Sequence, residues 1–222
     1  MKKLTIAALL LLFAFSCAFS SEGLLDPSDI NGFDRTFMRS YDRTMDNVST
    51  ALQIAAMMTP AVLLGEKKDR YVTIGVMYAE TVALTWVTTE LIKVLADRPR
   101  PYMYFEGYPR NKVDDGDWSK SFPSGHTAFS FAGASFASYV FWKYNPDSKW
   151  RIPVTALSYS LAVSVAALRV ASGSHFVTDV LAGALIGTAI GIGVPALHTL
   201  FADNDVAVSA SPFGLAISWR YR

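Results

Sequence analysis

The chain has 222 residues, of which 51% are hydrophobic and 18% are charged. This length suits one domain of ordinary size, and the mean hydropathy of +0.26 is high for a soluble domain. The formal net charge of +1 excludes a strong electrostatic attraction to nucleic acid. The only cysteine, Cys17, excludes an intrachain disulfide.

Residues 1–20 have the pattern of a targeting segment. Lys2 and Lys3 precede an apolar run over 4–15, and small residues follow at 16–21. A basic start, a short apolar run and a small-residue region predict a secretory signal peptide. The alternative is an uncleaved first helix, although the run is shorter than the roughly 20 residues of a spanning helix.

Five long apolar stretches follow a mixed and charged segment, 21–47, in which we expect loops and an amphipathic helix. The stretches cover 48–65, 71–95, 127–144, 153–168 and 176–200. They are rich in Ala, Leu, Val and Gly and are far too long to be single strands. The sequence therefore predicts an all-α fold, a membrane-embedded bundle of five to six long apolar helices, with one functional domain over 48–200.

The tail, 201–222, breaks the helical pattern. Apolar and polar residues alternate on both sides of a Pro-Phe-Gly turn. Alternation with a period of two around a turn predicts a short β-hairpin. A hairpin at this place is a small argument for the alternative of a secreted, soluble bundle.

The connections between the apolar stretches differ in charge. Those over 65–71 and 143–151 are basic, and the alternate connections carry the reactive side chains described next. Basic connections of a membrane protein stay on the cytoplasmic side, so the other connections would face outward. This pattern predicts a bacterial inner-membrane protein whose site faces the periplasm, with a soluble periplasmic protein as the alternative.

The first of three fragments with reactive side chains lies at the end of the second apolar stretch. Lys93 is followed by Arg98 and Arg100, and Pro99 and Pro101 bracket Arg100. The prolines predict that the helix ends just before them and that Arg100 lies in a stiff, extended segment. Lysine and arginine both bind phosphate oxygens, but the spacing alone does not choose between Arg98 and Arg100.

The second fragment is Pro123-Ser124-Gly125-His126, at the start of the third apolar stretch. Proline and serine are common at a helix start, and glycine lets backbone N–H groups approach an anion closely. A helix N-terminus binds oxyanions, so His126 in the first turn would lie close to a bound anion.

An acidic run, Asp114, Asp115 and Asp117, precedes this fragment. It lacks the spaced ligands of a calcium-binding loop. We expect it to form a solvated loop over the pocket.

The third fragment holds Arg169, His175 and Asp179. His175 and Asp179 are four residues apart, so at the start of a helix the carboxylate can reach one imidazole nitrogen. That contact would fix the tautomer and leave the other nitrogen free as a nucleophile. The cations, histidines and carboxylate of the three fragments suit a tetrahedral oxyanion that is held, attacked and released, which indicates phosphoryl transfer.

In this order, the three fragments resemble the type 2 phosphatidic acid phosphatase family, whose superfamily also includes bacterial secreted acid phosphatases and vanadium haloperoxidases. The resemblance rests on Lys93, six residues, Arg100-Pro101, then Pro123-Ser124-Gly125-His126, and then Arg169, five residues, His175, three residues and Asp179. One departure is Leu168, where many members have serine, and we expect it to affect packing rather than the reaction class.

The resemblance implies that His175 attacks phosphorus to form a phosphohistidine and that Asp179 orients it. His126 would protonate the leaving alkoxide and then activate water. The phosphate oxygens would be held by Lys93, Arg100, Ser124, Gly125 and Arg169. The three cations would neutralise the phosphate, so we expect no metal and no cofactor.

These inferences predict a metal-independent phosphatase for a phosphomonoester or pyrophosphate, with a lipid as the favoured leaving group. The expected partners are the lipid phosphate substrate and the membrane, without nucleic acid and without a protein partner. The alternatives are a soluble periplasmic acid phosphatase of broad specificity, a vanadate-dependent haloperoxidase and a non-catalytic protein that binds lipid phosphate.

Overall fold

A computed structural model describes the backbone of residues 25–203, 206–211 and 214–219, and the side chains of residues 25–200. The predicted signal segment, Cys17 and the Pro-Phe pair of the tail lie outside the described residues. The helices are α1 (Gly32–Phe37), α2 (Arg43–Met57), α3 (Tyr71–Ala96), α4 (Arg110–Asp114), α5 (Gly125–Tyr144), α6 (Arg151–Ala171) and α7 (Val177–Asp203), and the strands are β1 (Val206–Ser211) and β2 (Gly214–Trp219). Short 3-10 helices cover Pro27–Asp29, Thr59–Gly65, Lys68–Arg70 and Pro101–Tyr104.

The predicted all-α bundle of long apolar helices is confirmed. The first long helix, α2, begins at Arg43 rather than at residue 48, because the Asp42 side chain caps it by accepting from the Met45 N–H at 2.9 Å. Three helical segments of the described chain are long and apolar enough to cross a membrane. They are Arg43–Gly65, Arg151–Ala171 and Val177–Leu200.

The central helix is α5, which packs against α2, α3, α6 and α7. Its approach to α7 is close because α7 has glycines on the shared face. A Cβ atom on Gly183 would lie 2.5 Å from the carbonyl oxygen of Ser124, and one on Gly187 would overlap the backbone of Ala128. Small residues therefore set the distance between the two helices whose N-termini carry the second and third fragments.

The two ends of the bundle differ in character. One end has an apolar core of Leu63, Ile74, Met77, Phe136 and Val140. At this end the two basic connections meet, because Glu66 accepts from Asn145 and the Arg70 guanidinium stacks on Tyr144 at 4.4 Å. The opposite end collects the C-termini of α3 and α6 and the N-termini of α5 and α7, so the three fragments converge there.

The strands β1 and β2 pair antiparallel after α7, with Val206 opposite Trp219 and Ser211 opposite Gly214. Because α7 starts at the end with the three fragments and runs away from it, the strands follow at the other end of the bundle. The backbone of the strands therefore lies at the end of the bundle away from the three fragments.

Candidate active site

His175 lies in the turn between α6 and α7, and it is 2% exposed. Gly173 makes this turn with a φ of 68°, and a side chain there would collide with the Ser40 carbonyl. The Nδ1 atom of His175 is 2.7 Å from the carbonyl oxygen of Ser121, and its Nε2 atom is 3.0 Å from Nη1 of Arg100. Because arginine only donates, Nε2 accepts and the Nδ1–H group donates to Ser121. The lone pair of His175 is therefore on Nε2.

Asp179 supports His175 indirectly, which corrects the predicted hydrogen bond between them. Its Oδ2 atom lies 3.7 Å from Nδ1 of His175, which is too far for a hydrogen bond. Oδ2 instead accepts from the Ser121 hydroxyl at 2.5 Å and from the Phe176 N–H at 2.8 Å. The physical reason is that α7 begins at Val177, so His175 precedes the helix and the two side chains are not stacked one turn apart.

The structure gives Arg98 and Arg100 different partners, where the sequence left the choice open. Arg98 donates to Asp179 at 2.6 Å and to Asp34 at 2.8 Å. Arg100 is 5% exposed and reaches Nε2 of His175. Arg98 therefore braces the carboxylates behind the site, and Arg100 is the arginine that faces the reactive nitrogen.

The start of α5 brings the second histidine next to a lysine from α3. Ser124 is the N-cap residue of α5. A Cβ atom on Gly125 would lie 3.2 Å from the Lys93 ammonium, so the glycine leaves room for this cation beside the helix N-terminus. His126 is partly buried, and its Nε2 atom lies 3.1 Å from the hydroxyl of Thr50 on α2.

Arg169 lies in the last turn of α6 and is 2% exposed. It donates to the Asp46 carboxylate and to the Ser49 hydroxyl at 3.2 Å, while its buried Nε–H group has no partner within residues 25–200. Asp46 also accepts from the Lys112 ammonium at 2.7 Å and from the Tyr41 hydroxyl at 2.9 Å. This carboxylate ties the third fragment to α2.

Each of the three predicted phosphate-binding cations is paired with a carboxylate. The pairs are Lys93 with Glu90 at 2.7 Å, Arg100 with Asp117 at 2.7 Å, and Arg169 with Asp46. The prediction of a solvated acidic loop is therefore wrong for Asp117, although Asp114 and Asp115 are exposed. In this state carboxylate oxygens occupy donors that a phosphate would use.

The electrostatics of the site keep His175 neutral. Burial lowers the pKa of His175 well below its ordinary value of 6.5, and the cations Arg100 and Arg169 lower it further. Burial by itself would raise the pKa of Asp34, but hydrogen bonds from Arg98 and Thr178 hold that pKa below its ordinary value. The imidazole of His175 is connected to Arg98 through Ser121 and Asp179.

Comparison with known proteins supports the resemblance seen in the three fragments. A family model of the PAP2 superfamily matches residues 74–202, which is more than half of the chain. The chain belongs to the PAP2 superfamily. The matched region contains all three fragments, the helices α5 and α6, and nearly all of α3 and α7.

Named PAP2 relatives act on lipid phosphates according to their descriptions. Lipid phosphate phosphatase 1 of Arabidopsis thaliana is 34% identical over 53% of this chain and 41% of its own length. Probable diacylglycerol pyrophosphate phosphatase 1 of Schizosaccharomyces pombe is 32% identical over 52% of this chain and 49% of its own length. The chain spans less than half the length of these curated relatives.

A solved PAP2 structure shares the fold. It is the transmembrane PAP2-type phosphatidylglycerolphosphate phosphatase from Bacillus subtilis, with a TM-score of 0.56 and 19% identity over 88% of this chain and 96% of that one. In the described chain, the three helical segments of spanning length support a place in the membrane.

Several side chains of the site lie outside the sequence reasoning, and they include Asp34, Asp46, Thr50 and Ser121. The first three precede the residues that match the PAP2 superfamily. They come from α1 and α2, which lie far along the chain from the partners they contact, so no local spacing relates them to the fragments. Ser121 lies two residues before Pro123. Its carbonyl oxygen accepts from His175, as that of any residue type could, and its hydroxyl donates to Asp179, which lies too far along the chain for a local spacing to indicate the contact.

Proposed function

We propose that this PAP2 protein is a membrane phosphatase that hydrolyses a phosphomonoester or diphosphate of a lipid through a phosphohistidine at His175. The observation that carries this proposal is the fixed tautomer of His175. The Nδ1–H group is held by the Ser121 carbonyl, so the nucleophilic lone pair on Nε2 is directed at Arg100 at 3.0 Å. A phosphate bound to Arg100 would therefore lie next to the nucleophile.

The phosphate ligands are Lys93, Arg100, Ser124, Gly125 and Arg169. Lys93 lies beside the N-terminus of α5, whose first backbone N–H groups can bind an anion, and Arg100 lies beside Nε2 of His175. The unpartnered Nε–H group of Arg169 is a donor available to a phosphate oxygen. Charge that spreads over the phosphoryl oxygens in the transition state would be stabilised by this cradle.

In the first step, Nε2 of His175 attacks phosphorus, the bond to the leaving oxygen breaks, and its electron pair stays on that oxygen. His126 donates the proton that a leaving alkoxide needs. In the second step His126 accepts a proton from water, the water oxygen bonds to phosphorus, and the N–P bond breaks. Inorganic phosphate then leaves, and His175 regains its lone pair.

His126 needs the substrate in order to hold a proton. Burial lowers the pKa of His126, and the Arg169 cation adds to this effect. A bound phosphate dianion lies beside the same cations and raises the pKa of His126 again, because opposite charge favours the protonated imidazole. Substrate binding thus prepares the acid for the first step.

Asp117 must leave Arg100 before phosphate can bind there. Its side chain is 35% exposed, and it contacts Arg100 through both its carboxylate and its carbonyl oxygen, at 2.7 and 2.8 Å. A partly exposed carboxylate loses little when it returns to water, whereas a phosphate gains a charged hydrogen bond from Nη2 of Arg100. We therefore assign Asp117 as the anion that substrate displaces.

The lipid substrate is supported by two findings. Two relatives are named for lipid substrates, one as a lipid phosphate phosphatase and the other as a probable diacylglycerol pyrophosphate phosphatase. The site lies at the end of a bundle that contains three segments of spanning length, so a phosphate headgroup could reach it from the membrane surface.

We further propose that the site faces outward, as on the periplasmic face of a bacterial inner membrane. The two basic connections meet at the opposite end of the bundle. Their cations are Lys67, Lys68, Arg70, Lys143, Lys149 and Arg151. Basic residues favour the cytoplasmic side, so the other end would face outward.

Phosphate release by the purified protein tests the reaction. In detergent with chelator present, wild type should release phosphate from phosphatidate or farnesyl diphosphate, and His175→Ala should lose this activity by more than about a thousandfold. His198→Ala is the matched control, because His198 contacts Glu80 on the surface of the bundle. Equal rates for His175→Ala and wild type would contradict the phosphohistidine.

Labelling of introduced cysteines tests the orientation. In a Cys17→Ser background, Asp114→Cys lies at the end with the site and Lys68→Cys at the basic end, and both positions are exposed. A membrane-impermeant maleimide added to intact cells should label the first and not the second. The reverse pattern would place the site inside the cell.

A further inference from the structure

Lys112 is a fourth cation at the site, and it is not among the predicted phosphate ligands. It lies on α4, with its Nζ atom 2.7 Å from Oδ2 of Asp46 and 5.0 Å from the centre of the Tyr41 ring. Oδ1 of the same carboxylate accepts from Arg169. One negative charge therefore faces two positive charges, which leaves an excess of positive charge at this point.

The Lys112 ammonium keeps donors for a ligand. It has three N–H groups, and within the described residues it makes one hydrogen bond, to Asp46. The Asp46 carboxylate has no acceptor position left for a second hydrogen bond from Lys112, since its two oxygens also accept from Tyr41, Ser174 and Arg169. The Lys112 side chain is 21% exposed, so its free N–H groups can reach a molecule that enters the site.

Helix α2 shows on which side of the site Lys112 lies. Thr50 follows Asp46 by one helical turn, donates to the Asp46 carbonyl at 3.1 Å, and contacts Nε2 of His126 at 3.1 Å. One helical turn rises about 5.4 Å, and Asp46 and Thr50 lie on the same face of α2. The Lys112 ammonium that donates to Asp46 is therefore close to His126, which contacts Thr50. Lys112 is also among the charges that act on His126. It is therefore on the His126 side.

The His126 side is where the leaving group lies. In-line transfer places the leaving oxygen opposite the attacking Nε2 atom of His175, and His126 serves that oxygen. An alkoxide from a monophosphate brings a neutral alcohol to this position, for which an excess cation has no use. The leaving group of a diphosphate is itself a phosphate, and its negative charge can form a charged hydrogen bond with the Lys112 ammonium.

We propose that Lys112 binds the inner phosphoryl group of a lipid diphosphate and thereby selects diphosphates over monophosphates of the same lipid. This inference rests on the phosphatase function proposed for the same site. Nε2 of His175 bonds to the terminal phosphorus while the bond from that phosphorus to the bridging oxygen breaks. The electron pair stays on the bridging oxygen, which leaves as part of the lipid monophosphate held by Lys112.

Farnesyl diphosphate and farnesyl monophosphate test this selection, because they share one prenyl chain. Initial rates of phosphate release in detergent give kcat/KM for each substrate and hence their ratio. Lys112→Gln should lower the diphosphate-to-monophosphate ratio about tenfold, since one charged hydrogen bond is lost on the diphosphate alone. Lys112→Arg should restore most of the ratio. Arg110→Gln is the matched control, because Arg110 lies on the same short helix and is exposed.

The outcomes separate this inference from the proposed function. An unchanged ratio in Lys112→Gln, or an equal loss on both substrates, would overturn the inference, and the equal loss would assign Lys112 to bracing Asp46 and Arg169. Wild type that prefers the monophosphate would also overturn it. Wild type without activity on either substrate would instead contradict the phosphatase itself. Thermal unfolding of each variant, measured in the same detergent, confirms that the rates belong to folded protein.

Discussion

The two histidines of the site have different surroundings. His175 is 2% exposed and is held by the Ser121 carbonyl, behind which the buried Asp179 pairs with the partly buried Arg98. His126 is partly buried, and its ring contacts the Thr50 hydroxyl. The nucleophile side is thus braced from several elements, whereas the acid–base side is bounded by Thr50 of α2 and by Lys112 of α4.

This difference follows from the two proposed tasks. A nucleophile gains from a fixed direction of its lone pair, because a small misplacement costs much of the rate. An acid–base residue has to meet two different molecules, first the leaving group and then water, so its side of the site must remain open. Substitutions on the braced side should therefore change both stability and activity, and substitutions on the open side should change activity alone.

The largest expected effect is on the open side. His126→Gln should lower kcat/KM for phosphatidate by about 10²- to 10⁴-fold, because the leaving alkoxide loses its proton donor. The free energy of unfolding should change by less than about 1 kcal/mol, since glutamine keeps a polar group for the Thr50 hydroxyl that contacts the ring. For a diphosphate the loss should be smaller, because a leaving phosphate with a second pKa of about 6 needs no proton. Equal losses on both substrates would contradict the role of His126 as the proton donor to the leaving group.

Arg98→Met tests the braced side. It removes the cation shared by the buried carboxylates of Asp34 and Asp179 and should destabilise the protein by about 3–5 kcal/mol. Thermal unfolding in detergent measures the change. Arg110→Met is the control, because Arg110 is exposed. If the two variants unfold at the same temperature, the network does not brace the nucleophile side.

Ser121→Ala removes a single contact from the same network. The Asp179 carboxylate loses a buried hydrogen bond of 2.5 Å, which should cost about 1–3 kcal/mol of stability. We expect kcat to fall while KM changes little, because the carbonyl that holds His175 is no longer anchored. Ser164→Ala is the control, since that exposed hydroxyl bonds only within α6. A change in KM alone would mean that Ser121 acts on binding instead.

The pH dependence of stability reports on the buried histidines. The pKa of His175 in the folded protein lies well below 6.5, so below about pH 6.5 the unfolded chain binds a proton that the folded protein does not. Stability therefore falls with decreasing pH, by up to about 1.4 kcal/mol per pH unit for this group. His175→Gln should reduce that slope. An unchanged slope in His175→Gln would contradict a neutral His175.

The smallest expected effect concerns Asp117, whose carboxylate pairs with Arg100 when no substrate is bound. Asp117→Asn removes a competing charge, so competitive inhibition by orthovanadate should strengthen about fivefold, equivalent to about 1 kcal/mol. Asp114→Asn is the control, because Asp114 is exposed on the same segment. Weaker inhibition of Asp117→Asn would mean that Asp117 holds Arg100 in place for phosphate rather than competing with it.

The sequence was sufficient for the helices and for the three fragments. Long apolar stretches are fixed by composition, and Pro99 and Pro101 stop α3 through local sterics, so the helix ends at Ala96 as predicted. The PAP2 membership was also recognisable, because Lys93, the Pro-Ser-Gly-His turn and the Arg169–Asp179 fragment keep their spacing along the chain.

Only the tertiary structure decided how these fragments are held. The spacing of His175 and Asp179 suggested a direct contact, but the start of α7 at Val177 places Ser121 between them. The choice between Arg98 and Arg100 depended on Asp34, which lies far away in the chain. Local patterns record what neighbouring residues impose on each other. Contacts from α1 and α2 depend on how the helices pack, and no spacing in one sequence contains that information.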